Sequence, residues 1–393
     1  MDPDPRRIRV MMVATDNHPT SGAFLSMVKL ASLLRERHDV EPFVVLPSRG
    51  SGETLLAEAG VPYETIRSFP WVCDCGIKGM FQRMAKVFLL PILNGMAARR
   101  MACILTDGNF DLVHVNTSCS GVGAVAAARA NLPVVWHVRE LLEEGLGKRF
   151  CRTGASLRRM AGASRIVAVS RAVEDVYAHG YGMKNVATIL NGIDEGDYPA
   201  REDMDHVNAP LRIFYGGGYE PAKGFGDLVS ALMTVERRRP GAFRLLVAGD
   251  LPDHVRMRLG ESGLLHATEE LGMLPQKSVA EELRHVDVSC ITSRNEAFGR
   301  KTVEAMMSGA LAVATASGGT LELVTDGETG LLYNPGDVGG LARCIERVLG
   351  DPVGMRTIAR RGCEFAHERL TASVNADAVF ALYQDVLGGK ESA

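Results

Sequence analysis

Several things are missing from this sequence, and each absence closes off a class of protein. Its eight cysteines include no Cys-x-x-Cys pair, and most sit in apolar runs such as "VDVSCI". They read as reduced core residues, not as a disulfide framework or a zinc site. No set of histidines and cysteines has metal-ligand spacing. No uninterrupted apolar run reaches the roughly 18 residues of a membrane-crossing helix; the best, "VFLLPIL", contains a proline. The N-terminus "MDPDPRRIRVMMVA" begins acidic and is unlike a signal peptide, so a cytoplasmic location is expected. There is no internal repeat at a fixed period and no low-complexity segment. A strong excess of one sign of charge is also missing: the formal net charge is -3 with 23% charged residues, which argues against a nucleic-acid partner.

What remains is an ordinary globular composition spread over 393 residues, more than one core usually organises. Short apolar runs alternate with helical patterns through both halves, the signature of parallel sheets covered by helices on both faces. Strands are expected at 8–14, 42–46, 112–116, 134–137, 166–170 and 187–190, then at 211–215, 244–248, 286–291 and 311–315. Between the two sets, "NGIDEGDYPAREDMDHVNAP" is polar, acidic and without period. The expected division is therefore a domain over 1–192, a linker over 193–210, a domain over 211–371, and a C-terminal segment, 372–393, packing back on the first domain. In that segment Ala376, Phe380, Tyr383 and Leu387 give a helix over 372–387 one apolar face. Two doubly wound domains facing each other would enclose a ligand at the carboxyl ends of their strands.

The chemistry concentrates in "SRNEAFGRKTVEAMMSGALAVATASGG", residues 293–319. The expected strand 286–291 is followed by a loop and then a helix beginning near Gly299, with Val303, Met306, Met307 and Ala310 on its buried face. Unpaired amides and the helix dipole make such a start attractive to a phosphate. Glu296 lies on the loop above that start and Glu304 one turn inside it, and carboxylates accept hydrogen bonds from hydroxyls. A diphosphate carrying diols on both sides, a nucleotide sugar, suits the arrangement. The competing reading treats Arg300 and Glu304 as an i, i+4 pair on a solvent face.

The Glu-x7-Glu spacing, the following Gly-Gly, the continuation "LELVTDGETGLLYNPGD" and the upstream "LGMLPQKSVAEELRHVDV" resemble the retaining GT-B glycosyltransferases of family 4. That resemblance implies an α/β fold of two Rossmann-like domains facing across a cleft, the first binding acceptor and the second donor. It implies that Glu296 contacts donor-sugar hydroxyls, that Glu304 binds the ribose, and that amides around Phe298 and Gly299 touch the sugar and diphosphate. In "YGGGYEPAKGF" it implies that Lys223 neutralises the diphosphate. Gly218 stands where the family usually has an arginine, with Arg294 and Arg300 as substitutes. "VVWHVREL" makes His137 a candidate near the donor sugar. In "HPTSGAF", Gly22 keeps one of the family's two glycines. Met273, within 272–274, is a candidate on the base, and Asn116 and Arg171 are candidates on the acceptor.

The two Asp-x-Asp strings, Asp2–Asp4 and Asp203–Asp205, lie in polar segments and read as solvated acids, and the resemblance implies no metal and no cofactor. The expected function is thus a retaining hexosyltransferase moving a hexose or N-acetylhexosamine from a nucleotide diphosphate sugar, UDP favoured, to a sugar or lipid-linked acceptor in bacterial-type glycan synthesis. The alternatives are a catalytically silent subunit of the same fold, which should have lost Glu296 or Lys223, and a sugar-nucleotide epimerase. A nicotinamide oxidoreductase is disfavoured because "YGGGYEPAKG" lacks the G-x-G-x-x-G spacing.

Charge is uneven along the chain. Residues 1–200 hold 23 Lys+Arg against 20 Asp+Glu, and the remainder 21 against 27. No acid occurs between Cys75 and Thr106, where Lys78, Arg83, Lys86, Arg99 and Arg100 interleave with Met80, Phe81, Val87, Phe88 and Leu89. None occurs over 145–173 either, a stretch with seven bases. Basic residues with apolar neighbours suit an anionic membrane surface, so a peripheral location at the inner face of the plasma membrane is expected; a solvated basic helix face is the plainer reading.

Overall fold

The computed structural model describes residues 7–389, apart from the side chains of residues 77, 78 and 85. It divides into two compact units, one running to Gly192 and including the segment from Ala372, the other Ile193–Thr371.

In the first unit the strands are β1 (Ile8–Val13), β2 (Val40–Leu46), β3 (Tyr63–Thr65), β4 (Val72–Asp74), β5 (Leu112–Asn116), β6 (Val134–Val138), β7 (Lys148–Phe150), β8 (Arg165–Ala168) and β9 (Val186–Thr188). Seven form a parallel sheet in the order β3-β2-β1-β5-β6-β8-β9, while β4 and β7 make a separate antiparallel pair. β1, β5 and β6 are nearly continuous apolar runs because helices bury both faces. The helices Gly22–Arg37 and Ala372–Gly388 close one core over β1 and β2. The C-terminal helix buries Ala376, Val379, Tyr383 and Val386, so its inward face is rotated from the one expected; Phe380 is only partly buried and stacks on His38.

In the second unit β10 (Leu211–Tyr215), β11 (Phe243–Ala248), β12 (Thr268–Gly272), β13 (Val288–Ile291), β14 (Leu311–Thr315) and β15 (Leu331–Tyr333) form a parallel sheet in the order β12-β11-β10-β13-β14-β15. The strand order reverses between β10 and β13 here, and between β1 and β5 in the first unit. These are the switch points at which the loops following adjacent strands diverge and leave a crevice. Residues 193–210, expected as a linker, are tied to this unit: Tyr198 is buried, Arg201 donates to the Val286 carbonyl at 3.0 Å, and Arg356 donates to the Met204 carbonyl at 2.8 Å.

Three expectations are corrected. The interrupted run around Pro91 lies within a 31-residue helix, Ile77–Asp107, with the proline inside it. By length and composition its part Lys86–Asp107 could cross a membrane. Counting uninterrupted apolar residues missed this, because Asn94, Arg99 and Arg100 break the run without lowering the average hydropathy enough. The cysteines are all free, but Cys75 and Cys103 are exposed and Cys119 and Cys344 half-buried, so only four belong to the core. β3, β4, β7, β12 and β15 were not foreseen; four of them span three residues and β12 is an acidic edge strand, too little pattern to show period two.

Candidate functional site

The loops after β10 and β13 meet at the second switch point, and they carry most of the sequence candidates. After β10 the chain turns through "GGGYE" into a short 3-10 turn, Pro221–Lys223. Tyr215 Oη donates to the Gly218 carbonyl at 2.5 Å and lies 3.3 Å from the Lys223 carbonyl, which also accepts from Thr292 Oγ1 at 2.6 Å. Gly224 is left-handed at φ 68°, and a Cβ there would overlap the Thr292 carbonyl. The Arg294 N–H donates to the Ala222 carbonyl at 2.9 Å, so side-chain and backbone bonds fasten the two loops together, and Lys223 Nζ reaches Glu296 Oε1 at 3.1 Å.

The segment around Glu296 is shaped by the downstream glycine pair. Gly319 N–H donates to the Glu296 carbonyl at 2.8 Å. A Cβ on Gly318, which is left-handed at φ 53°, would overlap that carbonyl, and one on Gly319 would approach Phe298 Cα at 2.7 Å. The Gly-Gly of the motif is required for this close approach.

The next helix is Arg300–Met307, capped by Gly299 in the left-handed region at φ 104°. Among the described residues the amides of Phe298 and Gly299 have no acceptor, as at any helix start. Phe298 itself is buried. Glu304 is buried, with Arg300 at 3.3 Å and Lys301 at 3.9 Å. It also faces the Tyr198 hydroxyl, whose pKa is raised by burial first and by Glu304 second. The pair is therefore not a solvent-face ornament: a carboxylate with 8% of its side chain exposed is held between two cations and a phenol. Tyr198 was not foreseen, because nothing in "EGDYPARED" marks it as apart from its polar neighbours.

Of the substitutes for the arginine expected at Gly218, Arg300 stands at the helix start, whereas Arg294 pairs with Asp227 at 3.1 Å. A Cβ at 218 would meet only the Glu220 carboxylate, the end of an exposed side chain that can turn away. Met273 is exposed just past the end of β12.

The candidates of the first unit sit at the carboxyl edge of its sheet. Gly22 opens the helix after β1, with Ser21 as its N-cap. Asn116 ends β5 and His137 lies in β6, but both are buried. Arg139 joins them: its Nε donates to Asn116 Oδ1 at 2.6 Å, its Nη2 lies 3.3 Å from His137 Nδ1, and its Nη1 donates to Asn191 Oδ1. Behind His137 stands His114, ring centroids 5.3 Å apart, with His114 Nδ1 2.6 Å from Tyr383 Oη. Burial first, then Arg139, lowers the pKa of both histidines, that of His114 to about 3. His137 is thus a neutral interior residue of its unit, and the buried cation Arg139 at the end of β6 is the feature the sequence reading missed. Its signal was a charged residue directly following an uninterrupted apolar strand. Arg171 starts a short helix after β8 and is exposed.

Among the described residues there is no group of three or more His, Cys, Asp or Glu placed to hold a metal ion. Asp203 accepts from the amides of Asp205 and His206, at 2.9 and 3.1 Å, and Asp205 pairs with Arg360 at 2.7 Å. Asp2 and Asp4 lie outside the described residues.

The profile of the family described as "Glycosyl transferases group 1" matches residues 209–351, and that of "Glycosyltransferase Family 4" matches 20–196. The glycogen synthase of Mycobacterium tuberculosis is 32% identical over 195 residues, 49% of this chain and 46% of that protein; the match thus spans about half the length of that relative. The D-inositol 3-phosphate glycosyltransferase of Acidothermus cellulolyticus is 25% identical over 325 residues, covering 76% of this chain and 72% of that one. In fold the chain resembles the crystal structure of Anabaena Alr3699/HepE in complex with UDP and glucose, with a TM-score of 0.76 at 23% identity over 96% of this chain and all of that one.

Proposed function

The chain belongs to the GT-B glycosyltransferases of group 1, and from that premise we propose that it transfers a hexose or N-acetylhexosamine from a nucleotide diphosphate sugar, UDP favoured, to a sugar acceptor, with retention of configuration and without a metal. The observation that carries this reading is the convergence of Lys223, Glu296 and the Gly299 helix start at the switch point between β10 and β13. The fold neighbour in complex with UDP and glucose supports the choice of base.

In this reading the diphosphate lies at the amides of Phe298 and Gly299, where the helix start favours negative charge. Lys223 exchanges its Glu296 partner for a phosphate oxygen, and Glu296 turns to the sugar hydroxyls. Glu304, held by Arg300 and facing Tyr198, accepts from the ribose diol. Arg300 supplies the second positive charge that Gly218 does not. The bond from anomeric carbon to phosphate oxygen breaks, the acceptor oxygen bonds to that carbon on the same face, and its proton passes to the departing phosphate oxygen. The first unit contributes the acceptor side, with Asn116 and His137 as positioning residues for Arg139.

The test is a thermal-shift and donor-hydrolysis panel of nucleotide sugars. Stabilisation by UDP and UDP-sugars is expected, weakened about tenfold or more in affinity by Glu304→Gln, which removes one charged hydrogen-bond acceptor from a buried site. No shift with any nucleotide would favour the silent-subunit reading, and stabilisation by GDP alone would overturn the choice of base.

A further inference from the structure

The first unit carries a surface that the donor chemistry leaves unused. On the helix Ile77–Asp107, Phe81, Met84, Phe88, Ile92 and Met96 are 66, 61, 75, 65 and 64% exposed. Their spacing of three and four places them along one stripe of about 23 Å. Contiguous exposed apolar surface of this kind marks a partner or a membrane. The other side of the same helix is committed to the unit's interior through Ala97, Ala98, Met101 and Leu105.

The chemistry of the surroundings names the partner. Beside the stripe opens a pocket of about 270 Å³ between this helix and the helices Val122–Arg129 and Thr153–Ala161. Trp71, Leu90, Val122 and Val125 give it an apolar floor, and four basic side chains but no acid line it. Of these, Lys86 donates to the Val72 carbonyl at 2.7 Å and Arg129 to the Gly95 carbonyl at 3.1 Å. Arg152 and Arg159 have no acidic partner among the described residues. A second copy of the chain on this face would bring like charges together across a two-fold axis, whereas an anionic bilayer brings phosphates to the bases and acyl chains to the stripe.

We infer that this face docks on an anionic phospholipid bilayer, with the helix Ile77–Asp107 lying in the plane of the interface and a lipid phosphate entering the basic pocket. The helix lies on the membrane and does not cross it. Arg99 and Arg100 sit within its apolar part, and crossing would strip Ala98 and Met101 from the core. The inference stands independently of the donor reading, and it adds to that reading the prospect of an acceptor carried by a lipid.

The test is co-sedimentation of the full chain with vesicles of phosphatidylcholine alone or mixed with phosphatidylglycerol, at low and high salt. Binding to the mixed vesicles, weakened by salt, is the expected result. Phe88→Glu with Ile92→Glu should lower the partition by about tenfold or more on both kinds of vesicle. Arg152→Ser with Arg159→Ser should lower it about fivefold per arginine on mixed vesicles only. Tryptophan fluorescence of both variants, matching the parent, checks that they fold. Equal sedimentation with and without the anionic lipid, or indifference to both double variants, would overturn the inference. So would concentration-dependent dimerisation abolished by Phe88→Glu in a chain that ignores vesicles, because the face would then belong to a second copy.

Discussion

At the scale of single residues, the second unit's site is defined by where charge and backbone are forced together. Lys223 and Glu296 are 73 residues apart in sequence but 3.1 Å apart in space, because their loops follow neighbouring strands and are pinned by Tyr215, Thr292 and Gly224. Gly318→Ala puts a methyl group into the Glu296 carbonyl in a left-handed conformation. A loss of about 1–3 kcal/mol from the second unit is expected, together with weaker nucleotide binding, as measured by thermal shift with and without UDP. A variant as stable and as tight as the parent would show that the loop moves freely. Arg300→Ala should weaken UDP binding by about tenfold or more, while Arg294→Ala, whose partner is Asp227, should change it little. The reverse order in calorimetric titrations would assign the missing cation to Arg294.

At the scale of elements, the least legible piece was the helix Ile77–Asp107. Proline inside a helix removes one i to i-4 bond and crowds the preceding turn, yet this helix continues for four turns past Pro91 because its later turns are buried through Ala97, Met101 and Leu105. Packing overrode propensity there. Pro91→Ala gives the Val87 carbonyl back its donor and should raise the stability of the first unit by about 1 kcal/mol or more. Urea unfolding followed by tryptophan fluorescence measures this; an unchanged midpoint would mean that the helix around Pro91 already suits its neighbours. The chain's two tryptophans, Trp71 and Trp136, are stacked at 5.8 Å within this unit, so the signal reports on it alone. Residues 193–210 offer the opposite case: a polar, aperiodic string held by buried Tyr198, Arg201 and Arg356, contacts that leave no periodic trace.

At the scale of the whole molecule, buried histidines tie stability to acid through the first unit. There, His114 and His137 are buried and neutral, so the unfolded chain binds more protons than the folded one below the ordinary histidine pKa of about 6.5. Their contribution to stability is complete above that pH and is lost as pH falls toward about 3 for His114, with a slope of up to about 1.4 kcal/mol per pH unit for each. Glu140, whose pKa burial raises, opposes them at the acid end. Lower urea midpoints by tryptophan fluorescence are expected at pH 5 than at pH 7, with a shallower slope in His114→Gln. A midpoint flat from pH 7 to pH 5 would mean that the histidines are charged in the folded state.

The sequence by itself determined the two sets of alternating strands and helices, the residue types of the donor site and their spacing along one loop and helix. These are local properties, carried by hydrophobic period, by glycine at left-handed positions and by the number of residues between two carboxylates. Only the tertiary structure decided that Lys223 meets Glu296, that Glu304 is buried beside Tyr198, that His137 is an interior neutral residue, and that the long helix leaves one face bare. Those depend on strand order, since a parallel sheet places loops side by side according to which strands are neighbours, and neighbours distant along the chain leave no mark in any window of it.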